Sequence, residues 1–210
     1  MLCLDLQAED EVITDILSRL DVSVVAQYPQ SSRLEQLLAE RLDVKADRIL
    51  VTAGADEALE RALESVLGSG CELVATSPTF EMIPIYARLA GGSVQHVPWL
   101  TGSFPVDSVL DAVTDNTTAI SVVTPSNPTG AAVPLADLQH IARTVPHILL
   151  LADLAYVEFA DVDITADLLD LPNVVIARSL SKAWGMPGVR VGFAVGDAVS
   201  YTHLTLPTKA

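Results

Sequence analysis

Short apolar runs alternate along the chain with stretches in which apolar residues recur every three or four positions. The runs predict seven β-strands, at residues 49–52, 72–76, 94–97, 119–124, 148–153, 174–178 and 191–195. The helical spacing predicts four helices between them, at residues 33–42, 56–67, 81–90 and 135–143. Strand and helix therefore alternate over most of the chain.

Several of the predicted strands are apolar on both faces, as the run Ile148-Leu149-Leu150-Leu151 shows. Such strands are typical of a parallel sheet that is covered by helices on both sides. We therefore predict the α/β class, with an open, mostly parallel, seven-stranded sheet and right-handed crossovers. In such sheets ligands bind beyond the carboxyl ends of the strands, so the residues that follow each strand are the candidates for chemistry.

Composition narrows the kind of partner. The chain has 210 residues and a formal net charge of −15, which argues against binding to nucleic acid or to anionic lipid and favours small-molecule chemistry. No apolar run is long enough for a membrane helix and the acidic N-terminus does not resemble a signal peptide, so we expect a cytoplasmic protein. Neither the two cysteines nor the four histidines are spaced like metal ligands, and no metal site is predicted.

The most informative loop follows the sixth predicted strand and reads Ser179-Leu180-Ser181-Lys182-Ala183-Trp184-Gly185. Small and apolar neighbours disfavour the charged form of a lysine, which makes Lys182 a candidate amine nucleophile for a carbonyl cofactor. Ser179 and Arg190 flank it with a hydroxyl and a guanidinium that suit phosphate oxygens. Taken alone, a lysine at the end of a strand is more often a solvated surface residue.

Two further loops carry polar residues directly after a strand. Asp153-Leu154-Ala155-Tyr156 follows the fifth strand, where Asp153 could either act on a ligand or cap the next segment. Thr124-Pro125-Ser126-Asn127-Pro128-Thr129-Gly130 follows the fourth strand, and its proline and glycine spacing predicts a tight turn that aims Asn127 inward. An ordinary turn is the alternative for Asn127.

The loops after the first two strands complete the set. Gly54-Ala55-Asp56 leads directly into a helix, whose first-turn N–H groups can bind a phosphate, although a plain helix start also explains the acidic residues there. Phe80 follows the second strand and could stack on a flat ring or simply belong to the core.

Together these segments resemble the motifs of the class I/II aminotransferases, which are pyridoxal-phosphate enzymes of fold type I. The match includes Asn127-Pro128-Thr129-Gly130, Asp153-Leu154-Ala155-Tyr156, where the family usually has Glu in place of Leu154, and the lysine segment. The run from Leu180 to Gly196 is especially similar to histidinol-phosphate aminotransferases. No G-x-S-x-G, Walker or G-x-G-x-x-G pattern supports a hydrolase, a nucleotide triphosphatase or a dinucleotide-binding domain.

The resemblance implies pyridoxal 5′-phosphate as cofactor and a role for each residue. Lys182 would hold the cofactor as a Schiff base and move the substrate proton, Asp153 would keep the pyridine nitrogen protonated, and Tyr156 and Asn127 would bond its phenolic oxygen. The remaining family positions are the stacking ring and the phosphate contacts, namely Phe80, Ala55, Asp56, Ser179 and Arg190. Tyr28 resembles the tyrosine that reaches the phosphate of the neighbouring subunit, which implies a homodimer.

Three segments follow from this comparison. Residues 1–27 are expected to be an incomplete N-terminal arm, residues 28–198 the cofactor-binding large domain, and residues 199–210 a non-native tail or else an ordinary polar loop. We expect the small C-terminal domain of the family to be missing. The resemblance favours amino transfer between L-histidinol phosphate, or a related amino acid, and 2-oxoglutarate. A threonine-phosphate decarboxylase and a non-catalytic dimerisation or sensing module are the alternatives.

Overall fold

The computed structural model describes residues 10–28 and 30–197 and contains one seven-stranded sheet. The strands are β1 (Ile49–Thr52), β2 (Glu72–Ser77), β3 (Ser93–Pro98), β4 (Thr117–Val123), β5 (Leu149–Asp153), β6 (Val174–Ser179) and β7 (Gly192–Gly196). Their order across the sheet is β1-β7-β6-β5-β4-β2-β3. Only β7 runs antiparallel to its two neighbours, β1 and β6, so the predicted mostly parallel α/β sheet is confirmed.

Helices connect the strands. They are α1 (Asp10–Ser18), α2 (Val22–Ala26), α3 (Ser32–Leu42), α4 (Ala55–Val66), α5 (Met82–Leu89), α6 (Val106–Asp111), α7 (Leu135–Thr144) and α8 (Thr165–Leu168). The pattern predicted α3, α4, α5 and α7 to within one residue at each end. It missed α1, α2, α6 and α8, because most of them span too few turns to show a period, and α2 is a run of β-branched residues that does not favour a helix.

The side chains of a strand alternate between two cores, since successive side chains point to opposite faces of a sheet. On β6, Val174 and Ile176 belong to the core beneath α3 and α7, whereas Val175 and Ala177 belong to the core beneath α4 and α5. Burial on both faces explains why the strands read as continuous apolar runs. Three of the candidate site residues, Ala55, Phe80 and Tyr156, belong to the second core or pack against it.

Helix α4 packs closely on the middle of the sheet. Its buried residues are Ala55, Ala58, Leu59, Ala62 and Leu63, which recur at helical spacing, and the alanines let the helix backbone approach the strands. The N-terminus of α4 touches the start of β7 at Gly192. A Cβ added at Gly192 would lie 2.3 Å from the carbonyl carbon of Gly54 and 2.5 Å from the nitrogen of Ala55, so only glycine fits there.

Among the described residues, no helix is long and apolar enough to cross a membrane. Residues 1–9 and 198–210, which include the expected tail, lie outside the described part of the chain.

Candidate active site

One pocket opens at the carboxyl edge of the sheet. Nine of the ten predicted site residues line it, namely Ala55, Asp56, Phe80, Asn127, Asp153, Tyr156, Ser179, Lys182 and Arg190. They come from five separate loops, after β1, β2, β4, β5 and β6. The parallel strands bring them together because their carboxyl ends share one edge of the sheet.

Asp153 is the last residue of β5 and forms the buried part of the pocket wall, with only 4% of its surface exposed. Its Oδ1 accepts a hydrogen bond of 3.0 Å from the backbone N–H of Ala155. Burial raises the pKa of Asp153 to about 6, the carboxylate of Asp56 acts in the same direction, and the Ala155 N–H and the Lys182 ammonium oppose it. A cation placed against this carboxylate would therefore be strongly favoured, since it would compensate a buried charge.

Lys182 and Tyr156 face each other across the pocket. The Nζ of Lys182 lies 5.3 Å from the centre of the Tyr156 ring, a distance at which a cation is attracted to an aromatic face. Both side chains are half-buried. The amine thus lies over an aromatic ring, in the pocket that also contains the buried acid Asp153.

The N-terminus of α4 forms another wall. Gly54 precedes the helix with a φ of 84°, a left-handed conformation that suits glycine, and the Thr52 hydroxyl donates 2.7 Å to the Gly54 carbonyl oxygen. The carboxylate of Glu57 turns back and accepts 2.6 Å from the N–H of Ala53. This arrangement leaves the N–H groups of the first helical turn available to an anion.

Arg190 supplies a cation beside that helix end. Its Nη2 lies 3.1 Å from the Oδ2 of Asp56, and its Nη1 lies 3.5 Å from the Oγ of Ser181. The backbone of Arg190 is left-handed, with a φ of 55°. Ser179, which is buried, accepts 3.1 Å from the N–H of Ser181 through its Oγ. Guanidinium, hydroxyls and helix N–H groups are together a donor set that suits a phosphate.

Asn127 and Phe80 lie on two further parts of the pocket wall. Asn127 is half-buried in a turn closed by a 2.7 Å hydrogen bond from Gly130 N–H to the Ser126 carbonyl oxygen. Phe80 is half-buried and packs against the core beneath α4 and α5. Its side chain thus contacts the core and also lines the pocket, so its position is compatible both with a core residue and with stacking on a flat ring.

The predictions missed three lining residues, Leu59, Ser181 and Ala155. Leu59 lies one helical turn after Ala55, so helical periodicity could have identified it. Ser181 and Ala155 lie between predicted residues and carry no signal of their own. Tyr28, by contrast, is 98% exposed and does not line this pocket in the described single chain.

These residues fit the expected cofactor by the chemistry of their donors. Pyridoxal phosphate is a flat ring with a basic nitrogen, a phenolic oxygen, an aldehyde and a phosphate. The pocket offers a buried acid at Asp153, an amine at Lys182, polar groups at Asn127 and Tyr156, and the phosphate donors beside Arg190. Among the residues the structure describes, no group of three or more potential metal ligands is present.

The comparisons with known proteins all indicate the same family. A family model described as aminotransferase class I and II matches residues 6–206. An aromatic amino acid aminotransferase of Mycobacteroides abscessus is 36% identical over 188 residues, which are 87% of this chain and 54% of that protein. A histidinol-phosphate aminotransferase of Nitrosospira multiformis is 35% identical over 179 residues, which are 82% of this chain and 46% of that protein.

A solved structure shares the fold. A double mutant of aspartate aminotransferase from Thermus thermophilus superposes with a TM-score of 0.79 at 26% identity, over 92% of this chain and 55% of that one. The chain therefore spans about half the length of the relatives it matches.

Proposed function

The chain belongs to the class I and II aminotransferases, and from that premise we propose that it is the cofactor-binding part of a pyridoxal-phosphate-dependent transaminase. The observation that carries the proposal is the convergence of Lys182, Asp153 and Arg190 on one pocket, from the end of β5 and from the loop that follows β6. A scaffold would need none of these groups there. The match to the family over most of the chain supports the same conclusion.

Each residue has a task in this proposal. Bound pyridoxal phosphate supplies an electron sink for the carbon that carries the substrate's amino group. Lys182 attaches the cofactor through Nζ and later holds the proton taken from that carbon. The carboxylate of Asp153 would pair with the protonated ring nitrogen of the cofactor, because a buried anion of raised pKa is stabilised by a neighbouring positive charge.

The other residues bind and orient. Asn127 and Tyr156 hold the phenolic oxygen, and Phe80 limits movement of the ring from one side. The phosphate is bound by the Ser179 hydroxyl, the Arg190 guanidinium and the backbone N–H groups of Ala55 and Asp56. Asp56 bonds Arg190 at 3.1 Å, so its side chain has to yield that guanidinium to the phosphate.

We place the amino donor among amines that carry a flat ring one carbon from the amino-bearing centre. L-Histidinol phosphate and the aromatic amino acids both have this form, and relatives named for each are similar to the chain. The cleft beyond Asn127 and Tyr156 supports it, because its wall is largely apolar and includes Pro125, Pro128 and Phe159. We propose L-histidinol phosphate and 2-oxoglutarate as the substrate pair, because the run from Leu180 to Gly196 is especially similar to histidinol-phosphate aminotransferases.

Reductive labelling tests the cofactor site. The chain is incubated with pyridoxal phosphate, reduced with borohydride and mapped by peptide mass spectrometry. Labelling confined to Lys182, with the exposed Lys45 unlabelled, is the expected result. Scattered or absent labelling would overturn the proposal.

Amino transfer is tested separately with 2-oxoglutarate and either L-histidinol phosphate or L-phenylalanine, by measuring glutamate. Carbon dioxide release from phosphorylated threonine would instead indicate the decarboxylase, and labelling without either product the non-catalytic module. The homodimer, with Tyr28 reaching the partner's pocket, is part of the proposal and is tested by sedimentation equilibrium. The cytoplasmic setting stays a prediction.

A further inference from the structure

A buried ion pair lies behind the pocket, on the opposite face of β6. Ser179 points into the pocket, so its neighbour Arg178 points away from it. Arg178 is 7% exposed. Its Nη2 lies 2.6 Å from the Oε1 of Glu158, and its Nη1 lies 3.1 Å from the Oδ2 of Asp163 and 2.5 Å from the Thr165 hydroxyl. The guanidinium thus has two carboxylate partners.

Glu158 uses the same oxygen for a second contact. Its Oε1 accepts 3.1 Å from the indole N–H of Trp184. Glu158 lies two residues after Tyr156, and Trp184 lies two residues after Lys182. Among the described residues, this is the one side-chain hydrogen bond that joins the turn 154–160 to the loop 180–190.

Among the described residues, no backbone hydrogen bond joins the turn 154–160 to the loop 180–190. In the turn, Val157 and Phe159 donate to Leu154 and Tyr156, within the same turn. In the loop, Gly185 donates to the carbonyl oxygen of Lys182 and Met186 to that of Leu180, within the same loop. The sheet fixes where the two segments begin, since Leu154 donates to the carbonyl oxygen of Ala177 on β6. Beyond the sheet, the bond between Glu158 and Trp184 is the side-chain hydrogen bond that ties the turn to the loop.

Trp184 is fixed from its other side as well. The guanidinium carbon of Arg41, on α3, lies 5.4 Å from the centre of the indole. Since Trp184 is 40% exposed, burial alone does not hold it, and the bond to Glu158 sets its direction. A charged acceptor makes that hydrogen bond stronger than a neutral pair would be.

We propose that Glu158 is a positioning residue that acts through Trp184 to set the distance between Lys182 and the Tyr156 ring. Arg178 holds the Glu158 carboxylate, and the carboxylate holds the lysine loop. This inference rests on the proposed function, since it assigns Glu158 to the attachment step at Lys182. Asp163 shares Arg178 with Glu158, but its partners among residues 10–28 and 30–197 are Arg178 and Thr165, so it makes no direct contact with the loop 180–190.

The test compares four variants of the chain. Trp184→Phe keeps the ring beneath Arg41 and the buried ion pair, and removes only the donor to Glu158. Glu158→Ala removes the acceptor, while Arg178 keeps Asp163 and Thr165. The double variant measures whether the two act through one contact. Asp163→Ala is the matched control, because it also removes one carboxylate from Arg178.

Two readouts separate positioning from folding. The first is the rate of borohydride-trapped labelling of Lys182 by pyridoxal phosphate. The second is the calorimetric affinity for pyridoxine 5′-phosphate, which has no aldehyde and cannot attach. We expect labelling to fall about tenfold in Trp184→Phe and in Glu158→Ala, and no further in the double variant, because a displaced lysine reacts slowly. Affinity for pyridoxine phosphate should stay within about twofold, and Asp163→Ala should label like the parent chain.

The outcomes are distinct. If the parent chain labels at Lys182 and Trp184→Phe labels equally fast, the role of Glu158 is overturned while the proposed function stands. If Asp163→Ala slows labelling as much as Glu158→Ala, the ion pair is merely structural and the inference fails. If the parent chain is not labelled at Lys182, the proposed function fails and the inference with it. Trp184→Phe alone decides the matter if Glu158→Ala does not fold.

Discussion

The Nζ of Lys182 lies 5.3 Å from the centre of the Tyr156 ring, although the two residues follow different strands of the sheet. Strand β5 ends in the loop that carries Tyr156, and the parallel strand β6 beside it ends in the loop that carries Lys182. Their meeting is thus a consequence of strand order. It places an amine, an aromatic hydroxyl and the buried acid Asp153 around one pocket.

Replacing Lys182 by alanine should abolish labelling by pyridoxal phosphate and leave the fold unchanged. The side chain is half-buried and reaches the pocket, where it lies over the Tyr156 ring, so the free energy of unfolding should fall by no more than about 1 kcal/mol. Labelling and thermal denaturation of the same preparation check both parts. Continued labelling at another lysine would show that attachment is not selective.

Replacing Asp153 by asparagine should make the chain without cofactor more stable at neutral pH. Burial raises the pKa of Asp153 to about 6 from an ordinary value of 3.8, so ionisation is less favourable in the folded than in the unfolded state. As pH rises, the Asp153 carboxyl group loses its proton at a lower pH in the unfolded chain than in the folded chain. The folded state therefore loses stability between about pH 4 and pH 6, and its stability changes no further above pH 6 from this cause. The full penalty is about 3 kcal/mol.

Urea denaturation of the parent chain and Asp153→Asn at pH 4 and pH 7 measures this. The variant should be about equal in stability at pH 4 and more stable by up to about 3 kcal/mol at pH 7. Asparagine can still accept the Ala155 N–H, so that hydrogen bond is not lost. An equal difference at both pH values would rule out ionisation as the cause. In the presence of pyridoxal phosphate, the difference in free energy of unfolding between the parent chain and the variant should shrink.

Replacing Gly192 by alanine should destabilise the chain severely. The new Cβ would lie 2.3 Å from the Gly54 carbonyl carbon and 2.7 Å from the Arg178 carbonyl oxygen, and backbone atoms cannot move aside as a side chain can. We expect a loss of about 3 kcal/mol or more, by denaturant unfolding. Gly188→Ala is the control, since nothing lies within 4 Å of its added Cβ. Equal stability of the two variants would contradict the close contact between α4 and β7.

Replacing Asp56 by asparagine should tighten the binding of pyridoxine phosphate. The Asp56 carboxylate lies 3.1 Å from Arg190 Nη2 and competes with a phosphate for the guanidinium, whereas the backbone N–H of residue 56 is kept. Because both side chains are about half-exposed, the gain should be modest, about threefold in Kd. Glu60→Gln makes the same change in net charge on the same helix and should have no effect. Calorimetric titration measures the Kd for pyridoxine phosphate, and weaker binding by Asp56→Asn than by the parent chain would contradict this prediction.

Much of the fold follows from local pattern. The seven predicted strands and the four predicted helices match the structure to within one or two residues, because apolar runs and helical periods are properties of neighbouring positions. The short helices α6 and α8 span fewer than two turns and show no period, so they were not predicted. The preference for the carboxyl edge of the sheet also selected the loops that line the pocket.

The sequence by itself determined which residues are the candidates for chemistry, since lysine, aspartate, asparagine and arginine stand at or directly after the ends of the strands. Only the tertiary structure decided what those residues do to one another. It places Asp153 where burial raises its pKa to about 6, sets Asp56 against Arg190, and brings Trp184 to Glu158. These relations depend on which strands are neighbours and how closely α4 approaches Gly192, and such distances join segments far apart in the chain, where local pattern carries no information.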